Sequence, residues 1–220
     1  MNNPWVNLPN LPPYILPSDN DFVEHHNNKV SENYQIQTNL YPEPFLGNPN
    51  SNIILLNLNP GFTPAEFYYH TDDKYFVEQI QANLCHRAKY PFFLLDPLVS
   101  ESPGGKWWNK RLKQIILQTS LDIVSNKIFC IELFPYHSKN FRMTGSSIES
   151  QEYSFEILKL AIQREALIIL MRGRISWEKS FPQLKDCNYY SLKNPRSPYI
   201  SKNNLPDGVF EKIIERLKQC

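Results

Sequence analysis

The chain has 220 residues, enough for one α/β domain with a sizeable core, and no linker divides it. A net charge of +1 excludes a globally basic nucleic-acid binder, so any DNA contact needs a local basic face. No apolar run is long enough to cross a membrane. The four cysteines (Cys85, Cys130, Cys187, Cys220) show no CxxC spacing of a zinc or iron–sulfur site.

Residues 1–50 are rich in Asn and Pro, and each proline restricts its predecessor as well. They read as an N-terminal arm packed on the domain through Trp5, Tyr14, Tyr41 and Phe45, with a short helix within 21–34. The start of the chain lacks the apolar core of a signal peptide, and the scattered thiols suit a reducing compartment. A soluble cytoplasmic protein is expected.

The first strand of the domain, 51–220, is predicted over Asn52–Leu58. Its continuous Ile53-Ile54-Leu55-Leu56 run suits a strand buried on both faces. It ends abruptly at Asn59-Pro60-Gly61, a tight polar turn. A helix capped by Thr71 or Asp72 runs to about Arg87. After Gly104-Gly105 a second helix opens with four basic residues in Lys106–Lys113, either a solvated face or a phosphate-contacting one. The second strand, Lys127–Leu133, carries Glu132 inside an apolar run and ends at Phe134-Pro135-Tyr136-His137. A long helix follows from Ser146 to about Arg164. The third strand, Ala166–Met171, runs into Arg172-Gly173-Arg174 and a short helix through Trp177. The fourth, Asn188–Leu192, ends at Asn194-Pro195-Arg196, and a last helix spans 208–218.

Strands alternating with helices predict a three-layer α/β/α domain around a four-stranded parallel sheet. Three strand ends carry proline-containing polar loops, which a parallel sheet brings to one edge. There, at the carboxyl ends of the strands, ligands bind in open α/β sheets. The common hydrolase, NTPase, dinucleotide and zinc-protease motifs are absent.

Asn57-Leu58-Asn59-Pro60-Gly61 and Asn194-Pro195-Arg196-Ser197-Pro198-Tyr199 resemble two motifs of the uracil-DNA glycosylase superfamily. The nearest pattern is the mismatch-specific uracil/thymine branch, with Gly-Ile-Asn-Pro-Gly and Asn-Pro-Ser-Gly-Leu-Ser. Ile168–Arg174 resembles that family's third strand and its glycine turn. The resemblance implies a glycosylase-like fold over roughly 42–220, working as a monomer on single- or double-stranded DNA or a nucleobase, with no metal and no cofactor. It implies hydrolysis of the N-glycosidic bond of a flipped, uracil-like base, or a binding module of the same fold with little or no catalysis.

The same resemblance distributes roles. Asn59 positions a water, and Asn194 faces the leaving side of the base. Gly61, Phe62, Glu132 and His137 contact the base. Arg172, Arg174, Arg196, Ser197 and Tyr199 contact DNA, Tyr199 as a wedge in one register of the last motif. An Asn cannot take a proton as Asp does, so catalysis through Asn59 is slow. Glu132 stands where some branches use a base-reading Asn, and a carboxylate accepts but does not donate. Each has a plainer reading: Asn59 as a turn former, Phe62 as core, His137 bonded to a carbonyl, Glu132 paired with Arg172 or Arg174, and those arginines merely solvating a loop.

Overall fold

A computed structural model describes residues 2–142 and 147–219. It is an α/β structure whose strands form one five-stranded mixed sheet. The strands are β1 (Phe45–Gly47), β2 (Ile53–Asn57), β3 (Phe129–Glu132), β4 (Leu167–Leu170) and β5 (Tyr189–Ser191), in the spatial order β1-β3-β2-β4-β5. The described helices are α1 (Asn20–Lys29), α2 (Glu66–Thr71), α3 (Lys74–Leu84), α4 (Pro103–Gln118), α5 (Leu121–Lys127), α6 (Gln151–Gln163), α7 (Arg174–Ser180) and α8 (Val209–Lys218).

The apolar run of β2 puts it at the centre of the sheet. All five of its residues are buried, and it pairs in parallel with β3 on one side and β4 on the other. β5 extends the parallel set beyond β4. Among the parallel strands the chain goes from β2 to β3 on one flank, then crosses to β4 on the other. That reversal leaves a crevice at the carboxyl ends of β2 and β4.

The expected four-stranded parallel sheet is corrected by β1. This strand comes from the arm and lies antiparallel on the outer edge of β3, pairing Phe45 with Ile131 and Gly47 with Phe129. The Pro44 carbonyl extends the pairing by accepting the Glu132 amide at 3.0 Å. Three residues behind two prolines are too short to show an alternating pattern, and all three are buried, so the sequence carries no strand signal there. Trp5, Tyr14 and Tyr41, also from residues 1–50, share one apolar cluster with β2.

Three helices differ from expectation for local reasons, among them the unexpected α5, which opens where Ser120 Oγ accepts the Ile123 amide at 3.1 Å. Asp73, not Thr71 or Asp72, caps α3 by accepting the Phe76 amide at 3.0 Å, and the preceding aromatic stretch coils into the short α2. Helix α4 starts earlier than expected, at Pro103, because Ser102 accepts the Gly105 amide at 2.9 Å and proline suits the first turn. The expected start of the 146–164 helix falls partly outside the described residues; α6 begins at Gln151.

Candidate functional site

A cavity of about 520 Å³ opens at the carboxyl edge of the parallel strands. Four strand-end loops supply walls: Leu58–Thr63 after β2, His137–Phe141 after β3, Arg172 after β4 and Arg196 after β5. The start of α4 closes another side with Gly104, Trp107 and Trp108, and Glu43 and Glu66 reach in from the arm and from α2. The volume lies in the range of small-molecule sites.

The floor is made where β2 and β3 end in register, Asn57 beside Glu132. The Asn57 side-chain amide donates to Glu132 Oε1 at 3.0 Å. The Asn57 carbonyl is held in turn by the Trp177 indole N–H at 2.6 Å and by the Leu133 amide at 3.2 Å. Asn57 Oδ1 and Glu132 Oε2 are both buried with no hydrogen-bond partner among the described residues. Burial pushes the Glu132 carboxyl up to about 8, against the opposing pull of the Asn57 hydrogen bond and the Arg172 charge. A carboxyl raised in this way favours its protonated form, which both donates and accepts as an amide does. The reading of Glu132 as an acceptor-only carboxylate applies to its ionised form, which burial disfavours.

The Asn59-Pro60-Gly61 turn is pinned to the loop after β3. Asn59 Nδ2 donates to Ser138 Oγ at 3.0 Å and to the Pro60 carbonyl at 2.8 Å. The Ser138 amide donates to the same Pro60 carbonyl at 3.3 Å. Gly61 bridges to Ser138, and its carbonyl accepts from His137 Nδ1 at 2.6 Å. On the β4 side, Gly173 has a φ of +72°, and a Cβ there would fall 2.1 Å from Leu58 Cδ2, so a larger residue would be strained and would displace the Leu58 side chain.

Of the residues assigned roles from sequence, Asn59, Gly61, Phe62, Glu132, His137, Arg172 and Arg196 line the cavity together. Asn194, Arg174, Ser197 and Tyr199 do not. Asn194 is exposed, and its side-chain oxygen accepts the Arg196 amide at 3.2 Å in a local turn. Arg174 is exposed and paired with Glu178 at 2.8 Å, so the pairing of Glu132 with Arg174 is not what forms. Ser197 takes the Asn204 amide on its carbonyl, and the Tyr199 ring lies 4.3 Å beneath the Arg111 guanidinium.

Sequence reasoning missed Glu43, Glu66 and His70. Glu43 sits between two prolines in an arm read as packing, and His70 sits among tyrosines. The available signal was a charged residue in the aromatic run 41–45, where it could be buried only with a partner. Burial holds the Glu43 carboxyl well above its ordinary value, with Glu66 and Glu132 adding repulsion, and raises Glu66 to about 7. Burial lowers His137 to about 4 and His70 well below its ordinary value. Burial thus works against charge on each of these acids and imidazoles. No family model, curated protein or solved structure matches the chain.

Proposed function

We propose that the cavity receives a nucleobase extruded from DNA and that the protein hydrolyses its N-glycosidic bond, on a fold of the uracil-DNA glycosylase type. The observation that carries this reading is the buried Glu132, its Oε2 without a partner among the described residues, on the floor of a base-sized cavity that the Asn59 turn also lines. Cleaving a base from its sugar leaves negative charge on the base, and a neutral acid answers that charge by donating a hydrogen bond or a proton. Phe62 and Trp107 offer flat faces for a base taken out of the stack. Arg172 and Arg196 on the rim offer charge to the flanking phosphates. The Asn59 amide nitrogen is occupied by Ser138 and Pro60, which leaves its carbonyl oxygen to orient a water beneath the sugar.

One observation favours a binding module instead. The same two hydrogen bonds suffice to explain Asn59 as the hinge of a turn. One experiment separates the readings. Single- and double-stranded oligonucleotides carrying uracil, hypoxanthine or mismatched thymine are incubated with the protein, and abasic sites are then cleaved by alkali. Strand breakage that falls ~100-fold in Asn59→Ala supports hydrolysis. Salt-dependent binding without breakage supports the module, and neither binding nor breakage overturns both.

A further inference from the structure

At the cavity wall stands a group that the reading above leaves unused. Glu43 precedes β1, His70 lies in the last turn of α2, and His137 follows β3. All three are buried, and one nitrogen or oxygen atom of each lies within 4.8 Å of the others. His137 Nε2 is 3.7 Å from Glu43 Oε1, and His70 Nε2 is 3.8 Å from Glu66 Oε2. These gaps are too long for direct hydrogen bonds, and both Nε2 atoms are buried without a partner among the described residues. Polar groups so placed point to a small guest between them, a metal ion or a water.

Hydrogen-bond polarity decides between the two. A backbone N–H can only donate, and that of Tyr41 donates to His70 Nδ1 at 3.0 Å. Neutral His70 therefore carries its own proton on Nε2. A backbone carbonyl can only accept; those of Gly61 and Tyr41 both face His137, and that of Gly61, 2.6 Å from Nδ1 and the one within hydrogen-bond distance, takes the ring proton. Neutral His137 therefore presents a lone pair on Nε2. A metal needs a lone pair from every ligand, and a ligating histidine donates its other N–H. His137 meets that condition; His70 presents a proton instead. A water satisfies both rings, accepting from His70 Nε2–H and donating to His137 Nε2, with Glu43 as its third partner.

We propose that Glu43, His70 and His137 hold a water molecule at the cavity wall, and that His137, supported by Glu43, takes the proton of this water as it attacks C1′ of the sugar. The catalytic half of this proposal rests on the hydrolysis proposed above and supplies the proton acceptor that Asn59 cannot be. The water oxygen bonds to C1′ while the C1′–N bond breaks and its electron pair leaves on the base. The water proton passes to His137 Nε2, giving an imidazolium beside the Glu43 carboxylate. The departing nitrogen takes the Glu132 proton. The products are an abasic sugar with a hydroxyl at C1′ and a neutral free base. Loss of one proton from His137 to solvent and gain of one by Glu132 restore the site.

The groups facing Glu43 are Glu66 and His70 from α2, Cys130 and Glu132 from β3, and His137 from the following loop. The active form needs Glu43 ionised and Glu132 protonated. The rate therefore rises with pH as Glu43 ionises and falls as Glu132 loses its proton, a bell-shaped profile.

The test uses the full chain. Nitrogen NMR of the imidazoles at neutral pH is expected to find the proton of His70 on Nε2 and that of His137 on Nδ1, and added Zn²⁺ or Mn²⁺ is expected to leave the melting temperature unchanged. Glu43→Gln is expected to cut oligonucleotide cleavage ~100-fold and erase the rising limb of the pH profile, with Glu43→Asp keeping part of both. Identical tautomers in the two rings overturn the water site. So does a metal-dependent rise in melting temperature that His137→Ala removes, which would make this a metal site. A Glu43→Gln protein with wild-type rate and profile overturns the catalytic half. A wild type that cleaves no oligonucleotide overturns hydrolysis itself and the catalytic half with it, and the tautomers then decide the water site alone.

Discussion

Each edge of the sheet carries a cavity, and the polar groups of the two are used in opposite ways. The amino edge holds the larger one, about 720 Å³, lined by Lys127, Arg164, Lys212 and Arg216. Its cations are already committed to the chain. Arg164 donates to the Pro49 and Ser51 carbonyls at 2.7 and 2.8 Å, Arg216 to those of Asn52 and Glu165 at 3.1 and 2.9 Å, and Lys127 to that of Leu217 at 3.2 Å. Ser51 Oγ is the one unpartnered buried side-chain atom among that cavity's described lining residues. At the smaller carboxyl-edge cavity, Asn57 Oδ1, Glu132 Oε2 and His137 Nε2 are all buried without partners. Size therefore does not set the two cavities apart in the way that unpartnered buried polar atoms do, three against one.

The sharpest break of this contrast is at Arg164. Replacing it with alanine strands two carbonyls that its guanidinium now satisfies, at a cost of ~2 kcal/mol. The expected result is a clear drop in melting temperature, with DNA binding and any cleavage per folded molecule unchanged. A variant that keeps its stability and loses binding would transfer the function to the amino edge.

At the carboxyl edge the signature is in pH. Glu132 and Glu66, ordinarily near 4.5, are raised to about 8 and about 7, and Glu43 is raised as well. A raised folded value means that the unfolded chain releases its proton first. The stabilisation is complete below the ordinary value and is lost as pH rises through the folded one. His137 and His86 are lowered to about 4 from 6.5, so their contribution is lost as pH falls, from 6.5 downward. The two trends oppose each other below 6.5, and above it only the carboxyl trend remains. Stability is expected to decline from 6.5 towards 8. Glu132→Gln, which copies the neutral acid, should remove one proton from that slope, ~1.4 kcal/mol per pH unit. Chemical denaturation across this range checks it, and an unchanged slope would mean that Glu132 is ionised in the folded protein.

The part of the fold legible in sequence was the part written in runs of neighbours. The Ile53–Leu56 run announced a central strand, and the parallel strands β2 to β5 and their polar carboxyl-end turns could be read in order. The edge strand β1 could not, because three residues behind two prolines, the last of them a glycine, carry no periodicity, and their pairing with β3 is made across more than eighty residues of chain. The site divides in the same way. Asn59, Gly61 and Phe62 stand in one continuous motif, and Glu132 drew notice as a charge within an apolar strand. Glu43, Glu66 and His70 gain their meaning only through tertiary neighbours. Asn194 shows the opposite hazard, since its Asn-Pro pairing matches a motif while it is exposed outside the cavity lining, its side-chain oxygen accepting the Arg196 amide.

Arg196 offers the smallest and most selective probe of the contrast. Unlike Arg164 it is exposed, it lines the carboxyl-edge cavity, and the hydrogen bond described above uses its backbone rather than its guanidinium. Arg196→Ala should therefore change stability by less than ~0.5 kcal/mol, as for surface substitutions generally. If the guanidinium contacts a phosphate, the variant should bind DNA more weakly for every sequence alike. The slope of log affinity against log salt should shrink by about one. Titrations at several salt concentrations read both quantities. A uniform loss with a reduced slope identifies a phosphate contact, and a loss confined to one damaged base would instead put Arg196 against the base itself.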